Sequence, residues 1–175
     1  MYTYQVVGTP VDCQENMHAY HFSSIPMTPN PPLSEMPGHL IRRLNQHSTA
    51  VFLNRLKDLG HDITPVQFSA LVTLADHPGL DQATLAGLIA YDRATIGGVV
   101  KRLQQKKLIR RETNDHDRRA FRLMLTPAGQ ALVEHLGPVV VSLQDDIVSR
   151  LTESERVTFV KLMQKALHLN ASADL

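Results

Sequence analysis

From about Ser34 onward, apolar side chains recur at helical spacing, and the period then changes before the C-terminal stretch. Leu40, Ile41, Leu44, Val51 and Leu56 mark a first helix, which Gly60 ends as C-terminal glycines do. Thr64-Pro65 reads as an N-cap followed by an N1 proline. It predicts a helix through Phe68, Leu71, Val72 and Leu74 that stops by Pro78-Gly79. Asp81 caps a short helix with Leu85, Leu88 and Ile89 inward. Ala90, Tyr91 and Asp92 separate it from a helix whose inward face is Ile96, Val99, Val100 and Leu103. After Lys107 the period shortens. Leu108 to Thr113 and Ala120 to Thr126 predict two strands around a polar tip, with Phe121, Leu123 and Leu125 on one face. Thr126-Pro127 repeats the cap-plus-proline signal and opens a long helix to about Leu151, with Gly137-Pro138 as a candidate kink. Thr152-Glu153-Ser154-Glu155 is a capping box that starts a last helix with Val157, Val160, Met163 and Leu167 inward.

Two short helices joined by a tight turn form a helix-turn-helix, and a hairpin following it makes a winged helix. The expected fold class is mainly α with a small β-hairpin wing. The winged helix-turn-helix domain spans 62–126, between N- and C-terminal dimerisation helices at 34–60 and 127–170. These flanking helices are too apolar to stand alone and are expected to pair across a two-fold axis. Residues 1–33 hold five of the ten prolines and three of the four tyrosines without periodicity, and read as a proline-rich N-terminal arm before the 34–175 regulator domain.

Composition narrows the class. A hydrophobic fraction of 43% suffices for a packed core and exceeds that of disordered chains. No stretch approaches the roughly 18 consecutive apolar residues of a membrane span. The first 25 residues hold no Lys or Arg and no continuous apolar run, so no secretory signal is expected. With Cys13 as the single cysteine, no internal disulfide can form, and a cytoplasmic location is expected. The formal net charge of +1 conceals an asymmetry. Residues 92–122 hold ten basic and four acidic side chains, a net +6, while the other 144 residues carry a net −5. A basic block in an acidic body is the footprint of a polyanion-binding surface, although a solvated lysine-rich face would give the same count.

The helix after the turn carries the pattern that separates these alternatives. With its apolar residues inward, successive steps of about 100° turn Ala94, Gly98, Lys101 and Gln105 outward, flanked by Thr95, Gly97 and Arg102. This small, polar and basic face suits the major groove of double-stranded DNA, which admits one helix. Two successive helix-interior glycines each cost about 1 kcal/mol against Ala. Close approach to phosphates or bases explains them; packing against a neighbouring helix is the competing explanation. Arg93 is placed to reach base edges or phosphate, and Lys101 and Arg102 to hold phosphates. Gln82 and Thr84, on the preceding helix, join the expected contact set. At the hairpin tip, Arg118 and Arg119 suit a minor groove. Asp115 and Asp117 would stiffen the wing by bonding a tip arginine or a turn amide, with a plain solvated turn as the alternative.

The runs Asp92-Arg93-Ala94-Thr95-Ile96-Gly97-Gly98-Val99-Val100-Lys101-Arg102-Leu103, Leu108-Ile109-Arg110-Arg111 and Asp115-His116-Asp117-Arg118-Arg119-Ala120, with Leu125-Thr126-Pro127-Ala128-Gly129 after them, resemble MarR-family transcriptional regulators. The resemblance covers roughly residues 35 to 168. It implies a homodimeric winged-helix repressor that binds a pseudo-palindromic operator and is released by a small ligand. Gly97-Gly98 departs from the side-chain-bearing positions more usual in that recognition helix. The run Gly38-His39-Leu40-Ile41-Arg42-Arg43-Leu44 is similar to a subgroup controlling aromatic-acid catabolism, which implies an effector of the hydroxybenzoate, hydroxycinnamate or hydroxynicotinate type.

His39 and Arg43 stand at i, i+4 with Arg42 adjacent, so one helix face could hold an aromatic carboxylate. Pairing of the two arginines with acids of the same or a partner subunit is the alternative. Phe52, Phe68 and Tyr91 could wall such a pocket, and each equally fits a core. The nine histidines are scattered, His18 and His21 included, without metal-site spacing, so no metal and no cofactor are expected. No phosphate loop, nucleophile elbow or catalytic carboxylate pair is found, so no enzyme is expected. Two further readings stand beside the ligand-released repressor. One is a redox-sensing regulator acting through Cys13, and the other is a winged-helix module binding protein or RNA.

Overall fold

The computed structural model describes residues 31–114 and 117–168, with the backbone alone at 114 and 117–120. The N-terminal arm, Cys13, His18 and His21 lie outside the described residues. After a 3-10 turn at Leu33–Glu35 come α1 (Pro37–Asp58), α2 (Pro65–Asp76), α3 (Gln82–Leu88) and α4 (Ile96–Gln105). The chain continues into β1 (Ile109–Asn114), β2 (Asp117–Leu125), α5 (Pro127–Ile147) and α6 (Glu153–Ala166). The element order is that of the mainly α winged helix-turn-helix expected from the pattern.

Local chemistry sets each start. Thr64 Oγ1 accepts from the Gln67 amide and Gln67 Oε1 accepts from the Thr64 amide, both at 3.3 Å, so α2 opens on a full capping box. Asp81 caps α3, accepting from the amides of Ala83 (2.8 Å) and Thr84 (3.0 Å) and from the Thr84 hydroxyl (2.6 Å). Those donors, the Thr84 hydroxyl foremost, hold the Asp81 carboxyl below its ordinary pKa. The turn before α4 is longer than expected, and Arg93, Ala94 and Thr95 lie in it rather than in the helix. Asp92 organises that turn. Its carbonyl accepts from the amides of Thr95 (3.2 Å) and Ile96 (3.0 Å), and its Oδ1 from Ala94 (3.1 Å).

The core lies where α1, α2 and α5 meet the helix-turn-helix. Leu56, Leu71, Leu85, Val100, Leu103 and Leu136 are fully buried, with Ile96 and Val99 beside them. Each such side chain contributes about 1.5–3 kcal/mol of burial. The antiparallel hairpin pairs Ile109 with Leu125 and Thr113 with Phe121. A short bridge joins Leu80 to Leu123: Gly79 N–H donates to the Leu123 carbonyl at 3.0 Å and Leu123 N–H to that of Leu80 at 2.8 Å. The base of the wing is thereby tied to the segment that launches α3. Phe121, expected inward with Leu123 and Leu125, is 48% exposed because the hairpin runs beyond the edge of the core there.

The flanking helices differ from expectation in two respects. Helix α5 runs through Pro138 as one element and ends at Ile147 rather than near Leu151. On α6, Val157, Val160, Met163 and Leu167 are exposed rather than inward, with Leu167 at 66%. Leu40 and Ile41 of α1 are exposed as well, Ile41 at 67%. Among the described residues nothing packs on these faces, so their apolar spacing marks a surface that the described part of the chain leaves uncovered. Polar links hold the helices in place: Arg55 of α1 pairs with Asp146 of α5 at 2.6 Å, and Arg156 of α6 with Asp145 at 2.8 Å.

The tightest joint lies between the hairpin and α5. Thr126 Oγ1 accepts from the Gly129 amide at 3.1 Å and donates to the Lys107 carbonyl at 2.7 Å, while the Thr126 amide donates to Leu108 O at 3.0 Å. A Cβ on Gly129 would sit 2.1 Å from the Leu108 carbonyl oxygen, a backbone atom that cannot swing aside. Gly129→Ala is therefore expected to destabilise the protein by roughly 2–4 kcal/mol, by overpacking. Gly137→Ala, with nothing within 4 Å of its added carbon, is expected to be neutral or to stabilise by up to about 1 kcal/mol. Urea unfolding of the two variants checks the pair; equal midpoints would show that the joint yields.

Candidate nucleic-acid interface

Helix α4 buries Ile96, Val99, Val100 and Leu103 and leaves Gly98, Lys101, Arg102 and Gln105 exposed, so the division of its faces matches the expected wheel. Arg93, Ala94 and Thr95 extend this exposed face from the preceding turn. Among the described residues, Arg93, Lys101 and Arg102 form no ion pair. Their charges are thus available to an outside anion.

Three other cations of the basic block are held by internal partners. Lys106 bonds the carbonyl and carboxylate of Asp62, the latter at 2.9 Å, and holds the Asp62 carboxyl below its usual pKa. Arg110 pairs with Glu112 at 2.7 Å and donates to the Leu125 carbonyl at 3.0 Å. Arg111 Nη2 donates to Gln82 Oε1 at 3.2 Å, and its guanidinium lies 5.9 Å from the centre of the Phe121 ring. Sequence reasoning missed Arg111 and Phe121. Their diagonal placement across the hairpin, with Thr113 opposite Phe121, is the register signal that could have paired them.

Gln82 and Thr84 stand at the start of α3, near the first turn of α4. Thr84 gives its hydroxyl proton to Asp81. The Gln82 amide nitrogen lies 3.4 Å from the point where a Cβ on Gly97 would be. A Cβ on Gly97 would thus be in ordinary contact with Gln82, whereas a Cβ on Gly98 would meet nothing within 4 Å. Packing within the described residues therefore requires neither glycine of the pair. At the tip, Asp115 lies outside the described residues, as do the side chains of Asp117, Arg118 and Arg119. His39 is half-buried on α1, with Arg42 and Arg43 exposed and unpaired among the described residues. No group of three potential metal-ligating side chains occurs among the described residues, and no described helix is long and apolar enough to cross a membrane.

Comparison with known proteins finds the same arrangement elsewhere. The MarR family profile matches residues 61–120. The HTH-type transcriptional repressor NicR of Pseudomonas putida is 33% identical over 152 residues, covering 86% of this chain and 95% of NicR. A structure of Bordetella bronchiseptica BpsR, described as revealing regulation of its DNA binding by 6-hydroxynicotinic acid, superposes with a TM-score of 0.71. It is 33% identical and covers 83% of this chain and 99% of BpsR. Streptomyces coelicolor PcaV, solved with its natural ligand, has a TM-score of 0.71 and 29% identity over 79% of this chain and 96% of PcaV.

Gly98→Ala separates folding from binding at this face. The added methyl meets open space and removes a helix-interior glycine, so stability is expected to rise by up to about 1 kcal/mol. Affinity for duplex DNA is expected to fall by roughly tenfold or more if a phosphate or base approaches that backbone, a loss of about 1.4 kcal/mol. Melting temperature and fluorescence anisotropy read the two effects. Unchanged DNA affinity would remove Gly98 from the contact surface.

Proposed function

The chain belongs to the MarR family of transcriptional regulators, and from that premise we propose that it is a homodimeric repressor released from a pseudo-palindromic operator by a small aromatic carboxylate. The observation that carries the DNA-binding part is the sorting of the basic block. Lys106, Arg110 and Arg111 are held by internal partners, while Arg93, Lys101 and Arg102 have no ion-pair partner among the described residues and surround a helix face that is bare at Gly98. Such a face can sit close to a phosphate backbone. In this reading Arg118 and Arg119 of the wing follow the minor groove, and Asp115 and Asp117 brace the tip.

The exposed apolar positions of α1 and α6 support the dimer, because the described residues of the chain leave them without a partner. A second copy would cover them and set the distance between two α4 helices, as half-site spacing on a duplex requires. The effector class rests on kinship with NicR and BpsR and on His39, Arg42 and Arg43. Arg42 and Arg43, without an ion-pair partner among the described residues, offer guanidinium groups for a carboxylate, and His39 stands one turn before Arg43 for a ring hydroxyl or nitrogen. The ligand must favour the form that does not bind DNA; a tenfold release needs about 1.4 kcal/mol of differential affinity.

Anisotropy with a labelled duplex from the DNA flanking the coding sequence tests this. Hydroxybenzoates, hydroxycinnamates and 6-hydroxynicotinate are titrated into the complex. At least one is expected to displace the protein and to raise its melting temperature. Combining His39→Ala with Arg43→Ala is expected to weaken that response about tenfold, the loss of roughly one charge-assisted contact, and to leave ligand-free DNA affinity unchanged. A full response in the double variant would remove these residues from the pocket. No response to any of the acids would overturn the effector class.

A further inference from the structure

We infer that Arg111 is a positioning residue that turns the Gln82 carboxamide into a fixed hydrogen-bond donor for a DNA phosphate. The inference rests on the DNA-binding reading above. The guanidinium has donors and no acceptor, so the group of Gln82 that it touches at 3.2 Å is necessarily the carbonyl oxygen. That contact sets the flip of the amide. The NH2 group then points over the first turn of α4, at the place the missing Gly97 side chain leaves open. No acceptor among the described residues takes a hydrogen bond from it.

Three elements hold this arrangement. Gln82 comes from α3, Arg111 from β1, and Phe121 of β2 lies against the guanidinium at 5.9 Å, within cation–π range. The wing thereby holds a side chain on the helix-turn-helix. The chemistry also selects the kind of DNA group addressed. A glutamine that reads adenine uses its oxygen and its nitrogen together. With the oxygen held by Arg111, that bidentate mode is closed. Of the acceptors a lone donor can meet, a phosphate oxygen is favoured over guanine O6 or N7 and thymine O4, because the first helix of a helix-turn-helix crosses the DNA backbone. Gln82 therefore contributes affinity and register rather than sequence choice. Arg111, although cationic, acts through Gln82.

Binding of the full-length protein to its flanking-DNA duplex and to a scrambled duplex, over a series of salt concentrations, tests this with Gln82→Ala, Arg111→Ala, the double variant and Gln82→Glu. Gln82→Ala is expected to weaken both duplexes alike, by roughly tenfold, the loss of one bond to a charged acceptor. Arg111→Ala is expected to weaken wild type severalfold and to have little further effect once Gln82 is alanine. Its salt slope is expected to match that of wild type, since a positioning residue releases no counterion. Gln82→Glu keeps the Arg111 partner and places a carboxylate at the phosphate, so it is expected to bind more weakly than Gln82→Ala. Melting temperatures identify variants that lose folding instead.

Additive effects of the two alanine variants would overturn the inference. So would a salt slope shallower by about one unit in Arg111→Ala, which would make Arg111 itself the phosphate contact. A Gln82→Ala loss confined to the specific duplex would make Gln82 a base reader and also overturn it. Failure of the wild-type protein to bind any duplex would instead overturn the DNA-binding reading on which the inference stands.

Discussion

Gly129 has no side chain, and the Leu108 carbonyl oxygen stands 2.1 Å from where its first carbon would be. Around that close approach Thr126 spends its hydroxyl three ways, on the Gly129 amide and on the carbonyls of Lys107 and Leu108. The end of α4, the start of β1, the end of β2 and the start of α5 therefore meet in one hydrogen-bonded knot. Lys107 accepts a left-handed backbone, φ 57°, to let the chain leave α4 and enter the hairpin there. A helix that carries exposed cations, a wing and a long flanking helix cannot move independently through such a joint. The joint thus couples the orientation of α4 to that of α5 within one chain.

Charge is distributed with the same economy. A formal net charge of +1 would steer the molecule weakly toward any polyanion. Concentrated at +6 over residues 92–122, and then divided between buttressing cations and free ones, it makes a local field. Lys106 locks the α1–α2 linker to the end of α4, and Arg110 ties β1 to the end of β2. Both lie beside the knot and stiffen it. Exposed ion pairs of this kind contribute at most about 1 kcal/mol each. Their effect is to hold geometry, while Arg93, Lys101 and Arg102 remain free.

Much of this was legible in the chain because capping and periodicity are local. Thr64-Pro65, Asp81 and Thr126-Pro127 each start the helix they announce, and the inward set Ile96, Val99, Val100 and Leu103 is buried as spaced. The misreadings are those that local pattern cannot settle. Val157, Val160, Met163 and Leu167 have helical spacing, but spacing does not say whether the cover is the same chain. Arg93 to Thr95 read as helix until Asp92 supplies a competing turn. Arg111 carries no local signal of its contacts, because its partners Gln82 and Phe121 are distant in sequence. For the glycine pair, the pattern suggested one shared cause. In the structure a Cβ on Gly97 would only touch Gln82 at 3.4 Å, and Gly98 opens onto solvent, so packing demands neither.

The central claim is that a nearly neutral chain grips DNA through a few free cations carried on a rigid joint. The dependence of duplex affinity on salt measures this directly. Phosphate contacts by Arg93, Lys101 and Arg102 in each of two protomers, with or without the two wing arginines in each, give a slope of log affinity against log salt between about −5 and −9. A slope in that range, with the flanking duplex bound more tightly than a scrambled one throughout, agrees with the account. A slope shallower than about −2, or equal affinity for both duplexes at every salt concentration, would contradict it.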